Sequence, residues 1–333
     1  MIAISRPETV ERCMAALCGA HGAPPVAEIA ALPFPAAYRL LARRVAPRPR
    51  GVRRAIAALV HCVHGELDAA VRCLEASLAI DFGQYDLQML LAEILIVGGR
   101  WEAYGKKGEY GLDIAAALKG LADPPGRYHP ALVGKLFDRF SGEYDERVLR
   151  EGYAEHAAVA RRIATLPLPA GRLRFLDLGC GTGMLGEAVR AAGVDAALVG
   201  VDISAAMLER ARARGIYEEL HCDDIERFLR AGGGDADIVG LASVFPFLGD
   251  MRPVLRALGE RLRPGSWLVF SHDVAGDGAD VQFSRQARFR QSPAYVEACL
   301  AEAGFRKVSA EAIVARIDRG EEVAAEVMAA RKA

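Results

Sequence analysis

The residues best suited to chemistry lie in the run Phe175-Leu-Asp-Leu-Gly-Cys-Gly-Thr-Gly183. Gly179, Gly181 and Gly183 alternate with Cys180 and Thr182, and Asp177 stands two residues before the first glycine. Glycine lets the backbone turn tightly and approach a ligand with no Cβ in the way. A pyrophosphate-binding turn needs the spacing G-x-G-x-x-G, with the anion on a helix N-terminus. Here the spacing is G-x-G-x-G, and a carboxylate at 177 would repel a pyrophosphate while suiting the α-ammonium of a methionine moiety.

Two more acidic positions follow at matching places. Asp202, in Gly200-Val-Asp-Ile-Ser204, comes 19 residues after Gly183. An acidic residue there, at a strand end, accepts ribose hydroxyls. The third expected strand runs into Cys222-Asp223-Asp224-Ile225. A carboxylate at 223 or 224 can accept the exocyclic amine of adenine while the following backbone NH meets a ring nitrogen.

Titratable groups elsewhere are candidates for handling an acceptor. Ser271-His272-Asp273 brings a histidine to the end of an apolar strand, and an imidazole of ordinary pKa (~6.5) works as a base near neutrality. Asp273 faces the opposite way on a strand and does not orient it. Arg285, Arg288 and Arg290 occur together, and alternate spacing sets Arg288 and Arg290 on one side of an extended segment, where guanidinium groups could hold a carboxylate or phosphate. His61 and His64 at helical spacing, with Cys73 nearby, fall short of a metal-ligand set, so no metal site is expected.

These residues need a scaffold. A chain of 333 residues suits two domains. Residues 1–122 read as successive helices: apolar positions Ile56, Leu59, Val60, Val63 and then Ala70, Val71, Leu74, Leu78 keep helical spacing. His64-Gly-Glu-Leu-Asp-Ala-Ala70 recurs 34 residues later around Gly98-Gly-Arg-Trp101, the tetratricopeptide period, which suggests a tetratricopeptide-like segment over about 50–119. Pro124-Pro125-Gly126 marks a linker. Residues 127–333 alternate short apolar strands with amphipathic helices, which predicts a Rossmann-like, mostly parallel sheet with helices on both faces. Strands are expected over 174–178, 197–201, 219–222, 236–242 and 266–271, with 307–315 and 323–329 completing seven.

Bulk properties narrow the function classes. Lys plus Arg number 42 against 43 for Asp plus Glu, so no global field favours nucleic acid or an anionic membrane. The longest apolar run is far short of the ~20 residues that span a bilayer, and Arg6, Glu8, Glu11 and Arg12 leave no signal-peptide core. Seven cysteines, scattered and odd in number, suit reduced thiols in a cytoplasmic protein.

The region from Arg127 onward resembles class I S-adenosylmethionine-dependent methyltransferases, in the bacterial branch with a tetratricopeptide-like segment ahead of the catalytic domain. The resemblance rests on Phe175–Gly183, on Gly200-Val-Asp-Ile-Ser204 with Met207-Leu208, and on Asp224-Ile225. Leu262-Arg-Pro-Gly-Ser-Trp267 and Ala303-Gly-Phe305 extend it. It implies S-adenosylmethionine as methyl donor and S-adenosylhomocysteine as product. Asp177 and the glycine turn, Cys180 included, would face the methionine part. Asp202, with Ile203 and Met207, would serve the ribose side, and Asp224 or Asp223, with Ile225, the adenine. Members of this branch often carry an acidic residue where Ser243 stands here. The run Leu136–Asp145 resembles the family's entry helix over the cofactor, which makes Tyr144 a hydroxyl facing cofactor or acceptor, with Tyr128 and His129 as lesser candidates. The acceptor nucleophile is N, O or S, on a small molecule or on a protein or peptide held by the helical repeats; a non-catalytic cofactor-binding scaffold is the third reading.

Overall fold

The computed structural model describes residues 7–18, 22–45, 51–80, 85–97, 113–114, 117, 123–276, 278–318 and 320–333. The chain divides into two compact units, residues 1–125 and 126–333. Among the described residues no helix is long and apolar enough to cross a membrane.

The first unit holds helices α1 (Pro7–Cys18), α2 (Val26–Ala30), α3 (Phe34–Arg44), α4 (Val52–Val63), α5 (Leu67–Leu78) and α6 (Tyr85–Val97). Their apolar stripes meet in one core that includes Met14, Ile29, Leu41, Leu59, Leu74 and Leu90. The sharp α4–α5 turn passes through Gly65 at φ +74°. The second copy of the repeat, residues 98–104, lies outside the described residues. His64 is committed to local structure: its ring nitrogens sit 2.9 Å from the carbonyls of Val60 and Leu32. His61 contacts Glu66 at 2.5 Å.

The second unit begins with α7 (Pro130–Phe140), α8 (Tyr144–Arg150) and α9 (Glu155–Ala164). Then come β1 (Leu173–Leu178), α10 (Met184–Ala191), β2 (Ala196–Asp202), α11 (Ala205–Ala213), β3 (Tyr217–Cys222), α12 (Ile225–Arg230) and β4 (Ile238–Leu241). A short 3-10 turn, Phe245–Phe247, leads to α13 (Arg252–Arg261) and β5 (Trp267–Asp273). The chain ends in β6 (Val281–Phe283), β7 (Phe289–Gln291), α14 (Pro293–Glu302), β8 (Phe305–Asp318) and β9 (Glu321–Lys332).

Seven strands form one sheet in the order β3-β2-β1-β4-β5-β9-β8. The first five are parallel, and β9 runs antiparallel between β5 and β8. The expected seven-stranded, mostly parallel sheet with flanking helices is therefore present. The small antiparallel pair β6–β7 has no counterpart in the sequence-based expectation.

The central strands are covered on both faces, which is why they read as continuous apolar runs. Leu176, Leu178, Val199 and Val201 pack with Leu229, Leu255 and Val296 of α12, α13 and α14. Phe175, Leu198 and Val269 pack with Val159 of α9 and Val189 of α10 on the other face. Successive residues of a strand point to opposite faces, so the single position of each acidic residue decides which side it serves. The sheet order reverses at β1, whose neighbours are β2 and β4, and such a switch point opens a crevice at the carboxyl ends of the strands.

Candidate active site

A cavity enclosing about 740 Å³, solvent at its mouth included, fills that crevice. Its floor is the glycine turn. Gly179 adopts φ +75°, and a Cβ there would lie 2.5 Å from Val244, so only glycine fits. Gly181, at φ +53°, has nothing within 4 Å of its Cβ position, so bare backbone faces open space on the cavity wall.

Asp202, at the end of β2, also lines the cavity. Its two carboxylate oxygens each accept a backbone NH at 2.8 Å, one from Ser204 and one from Gly181. That clamps the end of β2 to the glycine turn and leaves the remaining lone pairs for a ligand. Burial pushes its pKa up to about 6, against those hydrogen bonds and with help from the nearby Asp138 charge. Ser204 caps α11, accepting from Met207 NH at 3.1 Å, and donates to Asp138 of α7 at 2.6 Å.

Asp223, Asp224 and Ile225 meet the cavity at the end of β3, and Ile203 and Met207 add apolar wall. Asp224 caps α12 and takes a hydrogen bond at 2.7 Å from Arg127, whose guanidinium also pairs with Glu226. Asp223 pairs with Arg227. Arg127 is a wall residue with no signal in the sequence, because it precedes α7 and reaches the site only through the fold.

Three of the glycine-turn residues, expected to face the ligand, do not line this cavity. Asp177 lies on the Phe175 side of β1 and accepts a 2.6 Å hydrogen bond from Tyr217. Burial, aided by the Asp202 charge, pushes its pKa up to about 7 against that bond. The Tyr217 ring fills the space beside Gly183, where a Cβ would lie 2.9 Å away. Gly183 is thus the left-handed cap of α10, and Cys180 is buried beneath the turn with its thiol pushed up by burial. The Asp177–Tyr217 pair braces the turn from below.

Helices α7 and α8 close the site from above. Tyr144, at the start of α8, lines both this cavity and a second one of about 570 Å³. Thr182 of the glycine turn donates to Asp145 at 2.5 Å, and Arg214 donates to the same carboxylate at 2.6 Å. Burial, with the charges of Glu155 and Asp202, pushes the Tyr144 phenol up. A phenol pushed up in this way is protonated at neutral pH.

Ser243 follows β4 and lines both cavities. It adopts φ +60°, a region uncommon outside glycine and concentrated at functional sites. Ser271 holds it there by accepting from its NH at 3.0 Å. The Ser243 hydroxyl donates to Glu155 of α9 at 2.6 Å. Glu155 is buried, and desolvation pushes its pKa up against that bond and the Arg316 charge. Arg316 of β8 grips Asp273 through two bonds, 3.1 and 2.6 Å, and touches Glu155 at 3.3 Å. So a carboxylate stands behind Ser243, delivered from α9.

His272 requires a correction. It is 1% exposed and lines neither cavity. The strand β5 continues through Asp273, and β9 pairs along it with His272 opposite Glu326. The imidazole is enclosed beside Phe270, 3.5 Å from the Glu326 carboxylate. Of the arginines, Arg288 lines the second cavity, while Arg285 and Arg290 do not. Tyr128 and His129 also act structurally: Tyr128 donates to the Ala287 carbonyl at 2.7 Å, and His129 caps α7.

Residues 176–268 match the methyltransferase-domain family. The ubiquinone biosynthesis O-methyltransferase of Bordetella avium is 32% identical over 123 residues, 35% of this chain and 50% of that protein. The malonyl-[acyl-carrier protein] O-methyltransferase of Alcanivorax borkumensis is 30% identical over 166 residues, 49% of this chain and 55% of that protein. The chain thus spans about half the length of these curated relatives. A solved S-adenosylmethionine-dependent methyltransferase from Mesorhizobium loti aligns with a TM-score of 0.40 at 20% identity, over 53% of this chain and 98% of that one.

Proposed function

We propose that this chain, whose residues 176–268 form a class I S-adenosylmethionine-dependent methyltransferase domain, methylates an oxygen nucleophile of a small molecule. One observation carries the reading: a single cavity gathers Gly181, Asp202, Asp224 and Ser243 from four successive strand ends. Its donor and acceptor set fits the methyl donor. Bare backbone at Gly181 leaves room for the ligand's amino-acid portion, Asp202 offers free lone pairs to a ribose diol, and Asp224 offers a carboxylate to an adenine amine. The NH of Ile225, first residue of α12, is outside the helical ladder and available to a ring nitrogen. Ile203, Leu248 and Val254 give an apolar wall for a flat base.

When bound, the cofactor supplies an electrophilic methyl group on a sulfonium. The protein's task is then alignment, worth ~7–11 kcal/mol in well-oriented systems, and removal of the acceptor's proton where it has one. Ser243 Oγ, on the wall shared by both cavities, takes that proton as its own passes to Glu155 Oε1. Tyr144 holds the acceptor or the cofactor by donating a hydrogen bond. The O-methyltransferase names of the relatives support an oxygen acceptor.

Calorimetric titration with S-adenosylhomocysteine, run beside a nicotinamide dinucleotide, tests the reading. Wild type should bind the former, and Asp202→Ala should lose about 1–3 kcal/mol, the scale of hydrogen bonds to charged groups. Binding of the dinucleotide alone would overturn it.

A further inference from the structure

The second cavity, about 570 Å³, adjoins the first through Phe137, Tyr144, Ser243 and Phe247. That position makes it the room for the acceptor. Its walls are aromatic, and three guanidinium groups reach it, from Arg147, Arg288 and Arg316. Two are compensated: Arg147 pairs with Glu151 at 2.8 Å and Arg316 with Asp273 at 2.6 Å. Arg288 lies within 4.0 Å of no carboxylate among the described residues. Its guanidinium carbon sits 4.3 Å from the centre of the Phe247 ring, and its charge acts on the Tyr144 and Tyr153 phenols, favouring their ionised forms against burial.

Arg288 is also pre-positioned. Ser284 NH donates to the Arg288 carbonyl at 2.8 Å, and Arg288 NH donates to Ser284 Oγ at 3.2 Å, closing the β6–β7 turn. Ala287, at φ +56°, is pinned through its carbonyl by Tyr128. A cation fixed in an aromatic cavity without a counter-ion is a site for an anion.

We propose that the acceptor is an aromatic carboxylic acid, its carboxylate bound by Arg288 and its ring enclosed by Phe137, Phe140, Tyr153 and Phe247. This rests on the methyltransferase reading above for the word acceptor; the anion site itself does not. One uncompensated guanidinium matches one negative charge. A phosphate dianion would leave an excess negative charge in a cavity already backed by Asp273 and Glu155.

The test uses the full chain and benzoate, cinnamate and 2-naphthoate, each beside its primary amide, with and without saturating S-adenosylhomocysteine. At least one acid should bind about tenfold or more tighter than its amide by calorimetry. Arg288→Met should erase that preference while keeping wild-type affinity for S-adenosylhomocysteine, which shows that the variant is folded; Arg288→Lys should keep part of it. Acids binding no better than amides, or a preference that survives in Arg288→Met, would overturn the proposal and leave the methyltransferase reading intact. An Arg288-dependent preference in a protein that binds no S-adenosylhomocysteine would do the reverse.

Discussion

The proposed function gives two carboxylates in this site opposite duties, and their surroundings set them apart. Asp202 must be ionised to accept two ribose hydroxyls at full strength, yet burial holds its pKa near 6. Ligand binding favours the deprotonated form, so affinity is full above that value and falls as pH drops through it. Titration with S-adenosylhomocysteine should show weaker binding at pH 5.5 than at 7.5, and Asp202→Asn should flatten the slope. Glu155, raised by burial, is suited to receive a proton. Glu155→Gln should lower kcat by about 10²-fold or more, the scale of a lost general base. It should also abolish the rise of kcat with pH that accompanies Glu155 deprotonation, while affinity for S-adenosylhomocysteine stays unchanged. A pH profile identical to wild type would remove Glu155 from the proton path.

At the scale of elements, the helix and strand ends do the positioning. Ser204 both caps α11 and ties it to Asp138 of α7, so one hydroxyl links the ribose end of the site to its roof. Ser204→Ala should cost about 0.5–2 kcal/mol of stability, the range for a lost N-cap, read as a shift in the denaturant midpoint at unchanged slope. The same elements explain what could be read in advance. Asp202 and the glycine turn announce themselves because each sits where an apolar strand stops, and Asp224 because it repeats that placement after the third strand. The register of Asp177 on β1 turns it toward Tyr217, and a strand buried on both faces gives no alternation to reveal that. His272 lies just past the expected strand end at 271, but β5 continues through Asp273 and β9 covers it. The Glu155–Arg316 contact joins residues 161 apart, a separation across which no local pattern carries information. Ser243 stands where members of the branch often carry an acidic residue, and only the fold shows that the Glu155 carboxylate reaches its hydroxyl from α9.

On the scale of the whole molecule, each unit has a core of its own. The helical unit packs around Met14, Leu59 and Leu74, and the sheet unit around the two clusters flanking β1 and β4. A chain of residues 126–333 should therefore fold alone, with a cooperative unfolding transition and an affinity for S-adenosylhomocysteine within about threefold of the full chain. A fragment that aggregates or fails to bind would show that the helical unit is needed for the site.

The slot that β9 occupies between β5 and β8 has a consequence for synthesis on the ribosome. Every wall residue of the donor cavity lies between positions 127 and 254, and chains fold progressively as they emerge. The donor cavity can thus take shape while Arg316 and the rest of the C-terminal hairpin are still unmade. Over that interval β5, buried along its whole length in the finished protein, presents an unpaired edge, the kind of surface that recruits other chains. Nascent chains are most exposed to aggregation between the completion of β5 and the arrival of β9. Premature termination in that window should yield insoluble protein, with the donor cavity encoded in full.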